Sequence, residues 1–290
     1  MKILIIGNPV SGKGTSKKKI NKLADVLNKQ KHEVSVYLTK FAGDGKNYIS
    51  EIAHDFERLV IVGGDGTVNE IINGIPDNFS IPIMLLPTGN ANLLGRDLQL
   101  PKSINSIVEI LIKGNMVQAD YGLLNESKFL MLAGAGFDAV VTEEVKKIRK
   151  TTISNLSYIF PIFRAIHSFS NNELSVTIDG KNVGKSPTVI VSNVRNYAGL
   201  FKLAYKAGIT TGKLDVIMLP KISLFALIKY AVVIKLSKVT NLKGVKYIQG
   251  SDIKINSSIP IPVELDGDFK DRFSEVNIRI IPKSLPLIIK

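Results

Sequence analysis

The chain has 290 residues, 45% of them hydrophobic, a formal net charge of +13, no cysteine and three scattered histidines, His32, His54 and His167. That composition supplies a sizeable core and one or two domains, and it excludes disulfides, thiolate metal sites and a histidine cage. The positive excess points to an anionic partner: nucleic acid, anionic lipid or a phosphorylated substrate. No nucleic-acid signature is present and tryptophan is absent, so nucleic acid is set aside. The lysine runs at 17–19 and 146–150 read as solvated helix faces.

In chain order, Lys2-Ile3-Leu4-Ile5-Ile6 reads as a buried strand, too short and too soon broken for a signal peptide. It runs into Gly7-Asn8-Pro9-Val10-Ser11-Gly12-Lys13, a formal match to the P-loop pattern. Two residues argue against that match. Gly14 stands where a P-loop needs Ser or Thr, and Pro9 removes an N–H from the loop. A phosphate-facing loop with Lys13 as counter-charge and a plain strand-to-helix turn both stay open. A basic helix over 16–30, a strand over 32–38 and a helix over 45–56 follow.

The stretch 59–75, LVIVGGDGTVNEIINGI, joins a strand to a helix through Gly63-Gly64-Asp65-Gly66-Thr67. Val68, Ile71, Ile72 and Ile75 then recur at helical spacing. The loop amides and helix N-terminus suit an anion such as phosphate. Asp65 would repel that anion unless a divalent cation lay between them, which suggests a metal–nucleotide site. Glycines present only for turn geometry are the alternative. A strand over 81–86 then meets Pro87-Thr88-Gly89-Asn90-Ala91-Asn92, and a helix over 104–113 and a strand from 116 close an α/β unit. Three glycine- or asparagine-bearing loops at strand carboxyl ends are the ligand arrangement of a doubly wound parallel sheet.

Beyond residue 122 turn signals multiply. The segment 139–169 reads as helical in two pieces, interrupted near Thr151-Thr152 and bent at Pro161. Short strands are expected over 174–178, 186–192, 213–219, 245–256, 260–265 and 275–281, with one helix over 223–236. A β-sandwich-type domain with helical inserts, 123–281, follows from that pattern. The longest apolar run, 222–228, cannot span a membrane. Segments 153–166 and 222–236 are candidate lipid-facing surfaces, although stripes of this kind ordinarily pack against a core. Asp179-Gly180 and Asp266-Gly267 are hairpin signals. Asp266 and Asp268 on one turn could also act as a general base and its partner, and turn chemistry explains both residues equally well.

Read in order, the pieces resemble the bacterial diacylglycerol kinase-like lipid kinases, soluble enzymes with a diacylglycerol-kinase catalytic domain. They are Asn8 to Lys13, Gly63-Gly64-Asp65-Gly66-Thr67-Val68-Asn69-Glu70, Pro87 to Asn92, Gly134-Ala135-Gly136-Phe137-Asp138-Ala139, Gly212-Lys213-Leu214-Asp215-Val216 and Asp266-Gly267-Asp268. The resemblance implies an N-terminal ATP-binding domain, 1–122, rejoined by the chain end at about 282–290, and a β-rich lipid-substrate domain, 123–281. It implies ATP and Mg²⁺ as cofactors, with ATP in the interdomain cleft. Nucleotide contacts would fall on Asn8, Pro9, Val10, Ser11, Gly12, Lys13, Thr39, Gly64, Asp65, Gly66, Thr67, Val68, Asn69, Glu70 and Asn90. Asp65 would act on the magnesium–ATP side, and Asp268, with Asp266 as a candidate to share the role, would be the catalytic base. It further implies a role in phospholipid biosynthesis and a cytoplasmic enzyme held at an anionic membrane surface by its lipid substrate. The sequence leaves room for a homodimer.

Three residues depart from the family pattern. Asp268 stands where Glu is usual and is one methylene shorter, Leu93 stands where an Asp is frequent, and so does Thr211. Loss of the latter two acids implies a subfamily without an accessory metal site. Two other classes stay open: an NAD kinase-like enzyme with a soluble substrate, and a catalytically degenerate, membrane-associated nucleotide-binding protein.

Overall fold

The structure, a computed structural model, describes residues 1–12, 14–52, 55–148, 159–199 and 201–290. The chain divides into two compact units, residues 1–120 with 282–290, and residues 121–281.

In the first unit the elements alternate. They are β1 (Lys2–Gly7), α1 (Thr15–Lys29), β2 (Glu33–Leu38), α2 (Asp44–Ile52), β3 (Arg58–Gly63), α3 (Asp65–Ile72), β4 (Ile83–Pro87), α4 (Leu93–Asp97), α5 (Ile104–Lys113) and β5 (Asn115–Leu124). The first four strands lie in the order β2-β1-β3-β4, all neighbours parallel, and Leu287 of the chain end pairs parallel with Ile83 of β4. β1 and β3 are apolar runs without alternation, buried from Ile3 and Leu59 onward, because helices cover both faces of a parallel sheet. Helix α1 buries Ile20, Leu23 and Leu27 at helical spacing, and α5 buries Ile104, Ile107, Val108 and Leu111. These side chains share one core with Ile3, Ile5, Val60, Val62, Met84, Leu86 and Ile288. The order 2-1-3 makes the connections diverge between β1 and β3. An open α/β sheet holds its ligands at such a switch point, beyond the strand carboxyl ends.

The second unit begins with residues 121–124 of β5 and continues with β6 (Ser127–Phe129), β7 (Leu132–Gly136), α6 (Phe137–Ile148) and α7 (Ile159–Ser168). Then come β8 (Leu174–Ile178), β9 (Lys181–Ser186), β10 (Thr188–Ser192), β11 (Asn196–Tyr197), β12 (Phe201–Lys202), β13 (Leu214–Leu219), α8 (Leu224–Leu236), β14 (Lys246–Gly250), β15 (Asp252–Leu265) and β16 (Asp268–Ile289). Strands β14-β13-β10-β7-β15 form an antiparallel run. β15 pairs with β7 through residues 263–265 and with β8 through residues 253–256. Its register against β16 shifts between Asn256 and Ile261, where Pro260 cannot donate a ladder bond. A strand that changes partners across such an irregularity lets two sheets face each other, as in a sandwich. The core between them takes Ala133 and Ala135, Val176 and Ile178, Val189 and Val191, Val216 and Met218, and Ile253 and Ile255, at the two-residue spacing of strands.

Some expected boundaries move for identifiable reasons. The strand expected over 186–192 is two strands, broken at Pro187, and β9 completes a hairpin with β8. Asp179 and Gly180 both have positive φ there, the requirement of a two-residue hairpin turn. The expected strand 245–256 is likewise two, since β14 pairs with β13 whereas β15 pairs with β8 and β16. Pro161 lies in the first described turn of α7 (Ile159–Ser168). The interruption expected near Thr151-Thr152 lies outside the described residues.

Candidate active site

In the first unit three loops leave neighbouring carboxyl ends: 8–12 after β1, Gly64 after β3, and 88–92 after β4. They touch backbone to backbone. A Cβ on Gly89 would stand 2.6 Å from the Cα of Gly64, and one on Gly12 would stand 2.2 Å from the carbonyl oxygen of Thr88. Gly12 also has φ +60°, a region L side chains rarely adopt. Thr88 ties the first loop to the third. Its hydroxyl donates to Ser11 Oγ (3.2 Å) and lies 2.5 Å from the buried Ser16 hydroxyl, and its amide donates to Gly63 O (2.8 Å). Asn92 Nδ2 donates to Gly89 O (2.6 Å), leaving Asn92 Oδ1 as a buried acceptor without a partner among the described residues.

Helix α3 starts at Gly64, which has extended backbone and no side chain to cap the first-turn amides. Those amides and their dipole end suit a phosphate oxygen. Asp65 Oδ2 accepts from the amide of Leu93 (3.1 Å), so the position where a second acid was looked for supplies an N–H instead. Among the described residues no group of three acidic or histidine side chains is placed to hold an ion. A lone carboxylate fits a magnesium ion that arrives bound to a nucleotide's phosphates, since Mg²⁺ takes only one or two carboxylates in such sites.

The other expected nucleotide contacts divide. Asn8, Pro9, Val10, Ser11, Gly12, Gly64, Gly66 and Asn90 lie on the three loops or the first turn of α3. Thr39 follows β2, its amide bonded to Gly7 O (3.0 Å), so the β2 end stands beside the first loop. Val68 is 7% exposed and its side chain faces the core. Glu70 is committed to the amide of Gly45 (2.9 Å) at the start of α2. Thr67 packs against Gly63, and Asn69 accepts from Asn73 Nδ2 at Oδ1 (3.2 Å). Lys13 lies outside the described residues. Gly12→Ala is expected to force the Thr88 carbonyl away and to cost about 1–3 kcal/mol of stability. Thermal melts with and without ATP would show a lower melting temperature and a smaller nucleotide-induced rise.

In the second unit Asp266 and Gly267 form the β15–β16 turn, both with positive φ. Asp266 is 8% exposed, and its carboxylate accepts from the amides of Leu130 (3.0 Å), Met131 (2.8 Å) and Leu132 (3.0 Å). It fastens the turn to β7. Asp266, expected as a candidate to share proton transfer, is engaged by three backbone amides and so shapes the turn that carries Asp268. Asp268, two residues on, is exposed at the first position of β16.

Behind this turn lies an acidic cluster that joins Asp138 of the Gly134–Ala139 motif to Glu264, a residue that no motif named. Glu264 is fully buried, and its Oε2 accepts from the amide of Gly267 (2.8 Å), the residue between the two aspartates. A Cβ on Gly134 would stand 2.7 Å from Glu264 Oε1 and 3.0 Å from Asp138 Oδ2, so this glycine makes room for both carboxyl groups. Asp138, at the start of α6, accepts a short hydrogen bond from the Tyr197 hydroxyl. Burial pushes both carboxyls above the ordinary carboxylate range. The charge of Asp138 pushes Glu264 further up, while the Gly267 amide opposes that shift. Burial likewise pushes the Tyr197 phenol well up. Among the described residues Glu264 Oε1 has no donor, and one proton placed on it toward Asp138 satisfies both acids. The available signal was an acid in an apolar strand, Pro262-Val263-Glu264-Leu265, two residues before the turn.

Asp215 and Thr211 make hydrogen bonds within the second unit. Asp215 is fully buried, accepting from Gln249 Nε2 (2.8 Å), the Lys206 amide (3.2 Å) and, at short range, the Tyr247 hydroxyl. Thr211 closes its own turn by donating to Gly208 O (3.0 Å) and Lys213 O (3.0 Å).

Comparison with known proteins agrees with this layout. The diacylglycerol kinase catalytic domain family matches residues 2–124, and the YegS C-terminal NAD kinase beta sandwich-like domain family matches residues 132–289. The diacylglycerol kinase of Staphylococcus carnosus is 29% identical over 271 residues, 91% of this chain and 88% of that one. The diacylglycerol kinase of Bacillus subtilis is 28% identical over 269 residues, 91% of this chain and 89% of that one. In fold, the chain is similar to a diacylglycerol kinase crystal structure from Bacillus anthracis (TM-score 0.80, 23% identity, 100% and 97% of the two chains covered). An NAD kinase from Archaeoglobus fulgidus, solved in complex with ATP, shares the fold more distantly (TM-score 0.55, 15% identity, 99% and 93% covered). With an α/β catalytic domain followed by its β-sandwich partner over nearly all its length, the chain belongs to the bacterial diacylglycerol kinase-like family of lipid kinases.

Proposed function

We propose that the enzyme transfers the γ-phosphate of ATP to a lipid hydroxyl, that of diacylglycerol or a close relative, drawn from an anionic membrane surface. The observation that carries the reading is the packing of three loops at the switch point of the first unit, where Gly12, Gly64 and Gly89 let the loop backbones close on one another beside the N-terminus of α3, whose first-turn amides suit phosphate. A magnesium ion carried on the phosphates of ATP would be held by the Asp65 carboxylate and would neutralise phosphate charge. The acceptor hydroxyl forms a new O–P bond at the γ-phosphorus, the bond from that phosphorus to the β,γ-bridging oxygen breaks, and ADP leaves. Asp268 takes the hydroxyl proton. Positioning and charge neutralisation, with Lys13 as a counter-charge, supply most of the acceleration in such a transfer. No helix among the described residues is long and apolar enough to cross a membrane, so the lipid is met at a surface.

The acceptor is tested with a panel. Labelled phosphate from ATP is offered to diacylglycerol, monoacylglycerol, a sphingoid base, a polyprenol and NAD, each dispersed in the same detergent. The proposal expects label on diacylglycerol or a related lipid and none on NAD. Label on NAD alone establishes the soluble-substrate alternative.

A further inference from the structure

Helix α8 is apolar apart from Lys229 and Lys235, and of its 13 residues Tyr230 is the buried one. Its inner face, with Ala226, Leu227, Val233 and Ile234, packs on a core that includes Phe137, Ile190 and Ile217. Among the described residues nothing covers its outer face. Phe225 is 84% exposed, Ile228 55%, Val232 51% and Leu236 79%. At 3.6 residues per turn these four make one continuous stripe, and Lys229 and Lys235 fall on its two edges. Helix α7 repeats the arrangement on the same core, turning Ile162 and Ala165 inward while Phe160 and Phe163 stay exposed. A surface helix normally shows water its polar side, so an uncovered stripe of this size marks an interaction surface.

Charge identifies the occupant. The segment 216–251 around the stripe contains six lysines, Lys221, Lys229, Lys235, Lys238, Lys243 and Lys246, and no Asp or Glu. All six are exposed. A second copy meeting this face symmetrically would oppose lysine to lysine with no carboxylate between them. An anionic bilayer answers both features: its acyl boundary takes the stripe, and its headgroup phosphates take the ammonium groups, which long lysine stems can reach. At 13 residues the helix is too short to span the bilayer and lies in its surface.

We infer that α8 is the membrane-docking element of this enzyme, with Phe225, Ile228, Val232 and Leu236 entering the acyl boundary of an anionic bilayer and the flanking lysines holding its phosphate headgroups. The inference deepens the lipid-kinase reading and rests on it, since a long-chain acceptor hydroxyl is available only at such a surface.

The test is cosedimentation of the full chain with phosphatidylcholine vesicles, with and without phosphatidylglycerol. ATP and diacylglycerol are left out, so the result is independent of whether phosphate transfer occurs. The wild-type chain binds the anionic vesicles at least about tenfold more tightly than the neutral ones. Phe225→Ser with Leu236→Ser lowers anionic-vesicle binding by about tenfold or more at an unchanged melting temperature. Lys229→Gln with Lys235→Gln lowers it several-fold and flattens its salt dependence. Binding that ignores phosphatidylglycerol, or a Phe225/Leu236 variant that binds like the wild type, overturns the proposal. A dimer abolished in that variant while vesicle binding is unchanged gives the face to a second copy and overturns it as well.

Discussion

Asp268→Asn is expected to lower kcat for phosphate transfer by about 10²- to 10⁴-fold, the range for loss of a general base. Both substrates still bind, so KM for ATP stays near its wild-type value, and the loss falls on a step realised in the transition state. The melting temperature does not move, because Asp268 is exposed at the start of β16. Asp268→Glu adds one methylene to an acid at the end of a tight turn and retains most of the activity. Asp266→Asn behaves differently. It weakens the acceptor shared by the amides of Leu130, Met131 and Leu132 and is expected to cost about 1.5–3 kcal/mol of stability. Steady-state kinetics and thermal melts on the three variants separate the base from the residue that shapes its turn. Asp268→Asn turning over at the wild-type rate would falsify the base assignment.

Glu264 carries the second large effect, on stability and its pH dependence. Burial and the neighbouring Asp138 hold a proton on this pair in the folded chain that the unfolded chain releases above the ordinary carboxylate pKa of about 4.3. A folded-state pKa above the unfolded value stabilises most at low pH, and the benefit is lost as pH rises from the unfolded towards the folded value. Over that window stability falls by about 1.4 kcal/mol per pH unit for each extra proton held. Glu264→Gln imitates the protonated acid: its carbonyl oxygen keeps the Gly267 bond and its amide donates to Asp138. Its stability is therefore less dependent on pH, and above neutral pH it exceeds the wild type. Glu264→Ala leaves Asp138 without its partner and a cavity beside Gly134, at a cost of about 2–4 kcal/mol. Denaturant titrations from about pH 5 to about pH 9 read the slopes. Equal slopes for the wild type and Glu264→Gln would mean that the pair does not share a proton.

Much of the first unit was legible because its signals are local. Apolar runs ending in Gly7, Gly63 and Pro87 identify parallel strands and the loops that follow them, and the helix over 104–113 announces itself by spacing alone. The two Asp-Gly pairs gave their hairpins for the same reason: only a few residues tolerate positive φ. What was not legible depends on partners distant in sequence. Val68 belongs to the motif yet faces the core, and Glu70 belongs to it yet holds Gly45, 25 residues earlier. Asp138 and Glu264 meet only because β7 and β15 pair, with Gly134 opposite Glu264. Helix α8 was expected to pack because apolar helices usually do. Its apolar residues are spread around the whole helix, so their periodicity did not say which side stays uncovered.

The central claim, transfer of phosphate from ATP to a lipid hydroxyl, is tested most directly by mixing enzyme, magnesium and ATP labelled at the γ-phosphate with dispersed diacylglycerol and following the label into the organic phase. The account predicts enzyme-dependent label in phosphatidic acid with matching release of ADP, abolished by omission of the lipid. ADP release with no labelled lipid, or no turnover for any hydroxyl-bearing lipid of the panel, would contradict it.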